Sequence, residues 1–123
     1  MSQQDMSKIN HLVERYVTLW NEPDANLRNK RISELWTEDG VQFLPPQVYR
    51  GYSALVERVS DAHEEFVHTG GFLFKQLGEI AVNHNAVKFS WEMVPAVGGA
   101  VAATGTIFLL LSDDGRINLD YQF

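Results

Sequence analysis

The stretch Asp113-Asp114-Gly115-Arg116-Ile117-Asn118-Leu119-Asp120-Tyr121-Gln122-Phe123 reads as a tight turn followed by a strand. An Asp-Gly pair ahead of a β-rich run is a strong hairpin signal, because glycine reaches the positive φ that such turns need. Within the run, Ile117, Leu119, Tyr121 and Phe123 alternate with Asn118, Asp120 and Gln122. Successive strand side chains point to opposite faces, so this strand is expected to be apolar on one face and polar on the other. With helices able to cover only one face of the sheet, the other is expected to be either solvated or paired with a second copy, and the two differing faces of this strand imply two non-solvent environments.

The same grammar extends upstream. Phe72 to Val82, Ala86 to Val94 and Ala100 to Ser112 are rich in β-branched and aromatic residues. They are separated by Asn83-His84-Asn85 and by a loop through Pro95 and Gly98-Gly99, so four strands ending in Arg116 to Phe123 are expected to form an antiparallel meander.

Before Gly70-Gly71 the apolar period changes to three and four. Ile9, Leu12, Val13, Tyr16, Val17, Leu19 and Trp20 mark one buried face of a helix from Met6 to Trp20. Asn21-Glu22-Pro23-Asp24 breaks it, and Asp24 is placed to cap a second helix carrying Leu27, Ile32, Leu35 and Trp36 inward. Glu38-Asp39-Gly40 reads as a turn, Val41 to Leu44 as a short strand ended by Pro45-Pro46, and Ser53 as the cap of a third helix. The inner stripe of that helix is Leu55, Val56, Val59, Ala62, His63 and Phe66.

Helices gathered ahead of a run of long strands predict an α+β domain rather than a doubly wound one. The 123 residues suit one core, and 45% hydrophobic with 21% charged residues leaves no large disordered fraction. A net charge of −6 with scattered Lys and Arg argues against nucleic acid, and the absence of cysteine excludes disulfides and thiolate chemistry. No apolar run approaches the roughly 20 residues of a membrane span. The stretch MSQQDMSK lacks the layout of a signal peptide, so a cytoplasmic protein is expected.

With this order of elements, the chain resembles the nuclear transport factor 2-like superfamily, in particular its SnoaL-like polyketide cyclase and ketosteroid isomerase branch. The residues that carry the resemblance are Arg15-Tyr16-Val17 followed by Asn21, Leu35-Trp36-Thr37-Glu38-Asp39, Gly51, and Asp114-Gly115-Arg116-Ile117. It implies a single domain over residues 1–123, a cone-shaped barrel of a curved antiparallel sheet covered by three N-terminal helices. It also implies a pocket for a small apolar molecule, no cofactor, and a homodimer through the outer sheet face, where Leu119, Tyr121 and Phe123 lie. The isomerases add a carboxylate base and a protonated Asp, but those positions fall here on Phe43 and Ile107. Neither can carry a proton, so steroid isomerisation by that route is not expected. In the SnoaL-like cyclases an Asp late in the last strand points into the pocket, and Asp120 is in a similar place.

Asp120 is therefore the leading candidate acid or base, since a carboxyl facing an apolar cavity has its pKa raised towards the useful range; it also reads as a plain solvated strand residue. His63 either faces the same cavity or is a hydrogen-bonded core histidine, and Tyr16 either donates to a ligand oxygen or satisfies its hydroxyl in the core. Trp20, Trp36, Phe43, Val59, Phe66, Trp91, Met93, Asn118 and Gln122 are the expected ligand-contacting set, on faces that would equally serve as core. His11, His63, His68 and His84 show no metal-ligand spacing, and no phosphate loop or nucleophile elbow is present. Three functions stay open: a cofactor-free acid/base enzyme, a non-catalytic binder of small apolar molecules, and a dimeric interaction module.

Overall fold

The computed structural model describes residues 3–123. Helix α1 spans Gln3–Asn21 and α2 spans Ala25–Leu35; strands β1 (Trp36–Phe43) and β2 (Val48–Arg50) follow. Next come α3 (Gly51–Ala62), continued by a π-helical segment over His63–Thr69, and the strands β3 (Phe72–Asn83), β4 (Ala86–Pro95), β5 (Ala103–Leu111) and β6 (Ile117–Gln122).

The expected α+β class stands: three helices lie on one face of a six-stranded curved sheet of order β2-β1-β6-β5-β4-β3. The sheet is antiparallel at every pairing but one. β1 runs parallel to β6, with Gln42 beside Asp120 and Phe43 beside Tyr121. After β1 the chain passes through the hairpin strand β2, helix α3 and the meander β3 to β5 before β6 returns beside β1. The hairpin strand β2 was not foreseen, and β1 starts five residues earlier than expected. Glu38-Asp39-Gly40 is an irregularity inside β1, where five steps from Trp36 to Val41 lie against two steps of β6.

Local chemistry accounts for the element ends. Asp24 caps α2 by accepting from the backbone N–H of Asn26 and Leu27. Helix α3 starts at Gly51, with Arg50 at the N-cap and no side-chain cap, so Ser53 lies inside the first turn instead of capping it. At the final hairpin Gly115 takes φ 87°, and the Asp114 carboxylate accepts from the Arg116 backbone N–H at 3.0 Å.

A bulge changes the face assignment on β6. Leu110 pairs with Leu119 but Leu111 pairs with Ile117, which leaves Asn118 as the extra residue. Ile117 is thereby turned into the core with Asp120, contrary to simple alternation, while Leu119 and Tyr121 stay on the outer face. The core joins Leu12, Val13, Tyr16 and Leu19 of α1, Ile32 and Leu35 of α2, and Leu55 and Val59 of α3 to Val87, Phe89, Ile107, Leu109 and Ile117 of the sheet. The Asn21 side chain ties α1 to the edge strand, accepting from the Phe74 backbone N–H and donating to its carbonyl, both at 2.8 Å. Among the described residues no helix is long and apolar enough to cross a membrane.

Candidate functional site

Three elements converge on Asp120. The parallel β1–β6 pairing sets Gln42 next to it, alternation along β6 sets Gln122 on the same face, and the buried stripe of α1 lowers Tyr16 onto both. The Tyr16 hydroxyl donates to Asp120 Oδ2 at 2.7 Å. Gln42 Nε2 donates to the same oxygen at 3.0 Å, and Gln122 Nε2 donates to Oδ1 at 2.5 Å and to the Tyr16 oxygen at 2.9 Å. Arg58 on α3 completes the cluster, with Nε donating to Gln42 Oε1 at 3.2 Å.

Asp120 is wholly buried, and no cation lies within salt-bridge distance of it among the described residues. Burial penalises the charged form and pushes its pKa up to about 6, against the opposing pull of the Gln42, Tyr16 and Gln122 hydrogen bonds and the more distant Arg58 charge. Burial, followed by the neighbouring Asp120 charge, holds the Tyr16 phenol well above its ordinary range. Tyr16 is therefore a neutral hydroxyl at any physiological pH. Asp120 is the group that changes state near neutrality.

Beside this cluster lies a cavity of about 250 Å³. Trp20, Phe66, Phe74, Trp91, Met93 and Ile107 supply most of its apolar wall, and Tyr16, Gln122 and Arg58 its polar edge. Gly105 makes room for Trp91, since a Cβ there would fall 2.6 Å from the indole ring. Asp120 itself is not on the wall; it lies behind Tyr16 and Gln122.

Of the expected residues, Tyr16, Trp20, Phe66, Trp91, Met93 and Gln122 come together on this wall. The others are elsewhere. Phe43 stacks on Tyr121 across the outer face, centroids 4.6 Å apart, because alternation that points Gln42 inward points Phe43 outward. Trp36 packs against Tyr16 in the core, centroids 5.5 Å apart, and Val59 is core as well. Asn118, displaced by the bulge, accepts from Thr37 Oγ1 at 3.3 Å. His63 Nδ1 lies 3.0 Å from the Trp20 carbonyl, where its N–H donates, and it makes no hydrogen bond to Asp120.

Gln42, Arg58 and Phe74 were not foreseen. Arg58, Ala62 and Phe66 are four residues apart and form one row of the helix facing the cavity, so the spacing carried the signal and the charge obscured it. Gln42 follows only from the parallel pairing. No group of His, Asp and Glu able to hold a metal ion occurs among the described residues.

Helices closing a curved sheet over an apolar cavity define the nuclear transport factor 2-like class of proteins, and solved structures of that fold superimpose along almost the whole chain. A candidate isomerase of the SnoaL-like family from Agrobacterium tumefaciens strain C58 is 24% identical with a TM-score of 0.85, covering 95% of this chain and 97% of its own. A candidate polyketide cyclase from Sinorhizobium meliloti is 18% identical at a TM-score of 0.71, over 92% and 94% of the two chains. A nuclear transport factor 2-like protein with a cystatin-like fold from Novosphingobium aromaticivorans is 18% identical at 0.69, over 97% and 80%. No curated protein matches the sequence. The SnoaL-like domain family matches residues 13–119, and the chain belongs to that family.

Proposed function

We propose that the chain binds a small, largely apolar molecule in this cavity and acts on a carbonyl or ring of it by acid/base chemistry of isomerase, cyclase or hydrolase type, without a cofactor. The observation that carries the reading is the Tyr16–Asp120 hydrogen bond at the edge of an otherwise apolar cavity. With Asp120 ionised, the phenol hydrogen is committed to Oδ2. With Asp120 protonated, the carboxyl can donate to the phenol oxygen, which releases the phenol hydrogen to a ligand oxygen in the cavity. As charge develops on that oxygen, the phenol proton passes to it and the Asp120 proton passes to the phenol oxygen, so the negative charge ends on the Asp120 carboxylate. Its working range lies below about 6, where Asp120 holds its proton. His63 serves this reading as a brace for the end of α1 through the Trp20 carbonyl.

A second reading, non-catalytic binding, is favoured by the set-back of Asp120 from the cavity wall. The two separate on Asp120→Asn, which keeps shape and hydrogen bonding but cannot transfer a proton. Mass spectrometry of small molecules retained by the purified protein supplies the ligand. Lost turnover with retained affinity supports catalysis, weakened affinity alone supports binding, and a variant equal to the parent in both sinks a role for Asp120.

The uncovered sheet face supports a homodimer. Phe43, Tyr121 and Phe108 form a half-buried aromatic row there, with Tyr121 to Phe108 centroids 6.3 Å apart.

A further inference from the structure

The cavity wall carries one charged side chain. Arg58 is half-buried, and its guanidinium carbon lies 5.4 Å from the centroid of the Trp20 ring and 5.8 Å from that of Tyr49. Its Nε is committed to Gln42 Oε1. Among the described residues neither of its Nη groups has a hydrogen-bond partner, and no carboxylate lies within salt-bridge distance. The guanidinium is thus oriented by contacts that leave its outer N–H groups unused.

Such a fork matches a carboxylate, and holding it between rings lowers the entropy lost when it pairs. A neutral ligand closing over Arg58 would desolvate the charge without pairing it, which disfavours neutral occupants. Gln42 also joins Arg58 to Tyr16 and Asp120, so the cation stands at the same polar end of the cavity as the reactive pair. The aromatic and apolar part of the wall includes Phe66, Phe74, Trp91 and Met93.

From this geometry we infer that the ligand is an amphipathic carboxylate, with a ring-sized apolar body against the aromatic wall and its carboxylate on Arg58. The inference rests on the cavity being a ligand site, as proposed above, and narrows the class of molecule it takes.

Calorimetric titration of the intact chain with naphthylacetate and with naphthylacetamide tests it, since the two share rings and shape and differ in charge. The carboxylate should bind about tenfold more tightly, the scale of one charge-assisted hydrogen bond net of desolvation. Arg58→Gln should remove that preference by weakening the carboxylate alone, and Arg58→Lys should restore part of it. Equal affinities in the parent, or a preference that survives Arg58→Gln, overturn the anion inference and leave the apolar pocket standing. Binding of neither probe overturns the pocket reading and the inference together. The comparison within the parent decides the matter even if a variant folds poorly.

Discussion

The Tyr16 hydroxyl on α1 and the Asp120 carboxyl on β6, 104 residues apart in sequence, meet at 2.7 Å with the aspartate wholly buried. The acid is held by neutral donors, Tyr16, Gln42 and Gln122, and not by a contacting cation. Neutral hydrogen bonds recover only part of the solvation a carboxylate loses on burial, so desolvation wins and the pKa moves up.

Stability should therefore depend on pH through this residue. A carboxyl whose folded pKa of about 6 exceeds its reference of 3.8 binds its proton more tightly in the folded state. Its contribution is fully present below the lower value and is lost as pH rises through the upper one, an effect on the order of 2 to 3 kcal/mol. Asp120→Asn, with Gln122 turning its amide over to accept, should match the parent in acid and exceed it in melting temperature above pH of about 6. A difference in melting temperature that stays constant from acid to neutral pH would show that Asp120 titrates in the ordinary carboxylate range.

Tyr16→Phe removes a donor that favours the ionised carboxyl, so the Asp120 pKa should rise further. The cost to stability should be about 1 to 2 kcal/mol, since Gln122 loses an acceptor and Asp120 a donor inside the fold. Following the Asp120 side-chain carboxyl by NMR across the titration reads the shift directly. A fall in its pKa would mean that the hydroxyl is not donating to it.

Gly105→Ala tests the cavity wall without touching a polar group. The added methyl would stand 2.6 Å from Trp91, so the indole, which lines the cavity, must shift. Overpacking of this kind costs roughly 1 to 3 kcal/mol. Saturable binding of a hydrophobic dye, read by quenching of tryptophan emission, should weaken in the variant. Unchanged dye binding would place the dye somewhere other than beside Trp91.

Tyr121→Glu tests the proposed dimer. It sets a charge between Phe43 and Phe108 in the aromatic row, far from the inward-facing Asp120 and Gln122. Light scattering after size exclusion should give a dimer for the parent and a monomer for the variant, with the dye site retained in both. A parent that is monomeric at micromolar concentration rules the dimer out.

The class of fold and the division of β6 into two faces were legible in the sequence because both rest on local periodicity, whereas the inward side of Asp120 and Gln122 was implied by the resemblance to the cyclases and isomerases. The stripe Leu12, Val13, Tyr16, Leu19 follows from 3.6 residues per turn, and the alternation from Leu119 to Phe123 follows from the pleat. The same local rule misplaced Ile117, because a bulge at Asn118 inserts one residue and reverses every face beyond it. Phe43 was expected among the aromatic residues of the cavity wall on the strength of the resemblance, yet parity along β1 is set by Gln42, and the partner that draws Gln42 inward lies 78 residues away. That pairing depends on β6 arriving parallel beside β1, which no turn residue announces.

His63 shows the same boundary. Its place on the inner stripe of α3 is written in the spacing of Leu55, Val59 and Phe66, but whether it meets Asp120 or the Trp20 carbonyl depends on how α3 lies across the end of α1. Arg58 falls on the same row of its helix as Ala62 and Phe66, but that its guanidinium lies between Trp20 and Tyr49 is set by the packing of α3 over the sheet. Periodicity divided each element into two sides and marked the buried stripe of the helices. Which buried groups touch was decided by the crossing of helices and the order of strands, since hydrogen bonds of 3 Å between residues so distant in sequence exist only once the sheet has curved and the helices have closed over it.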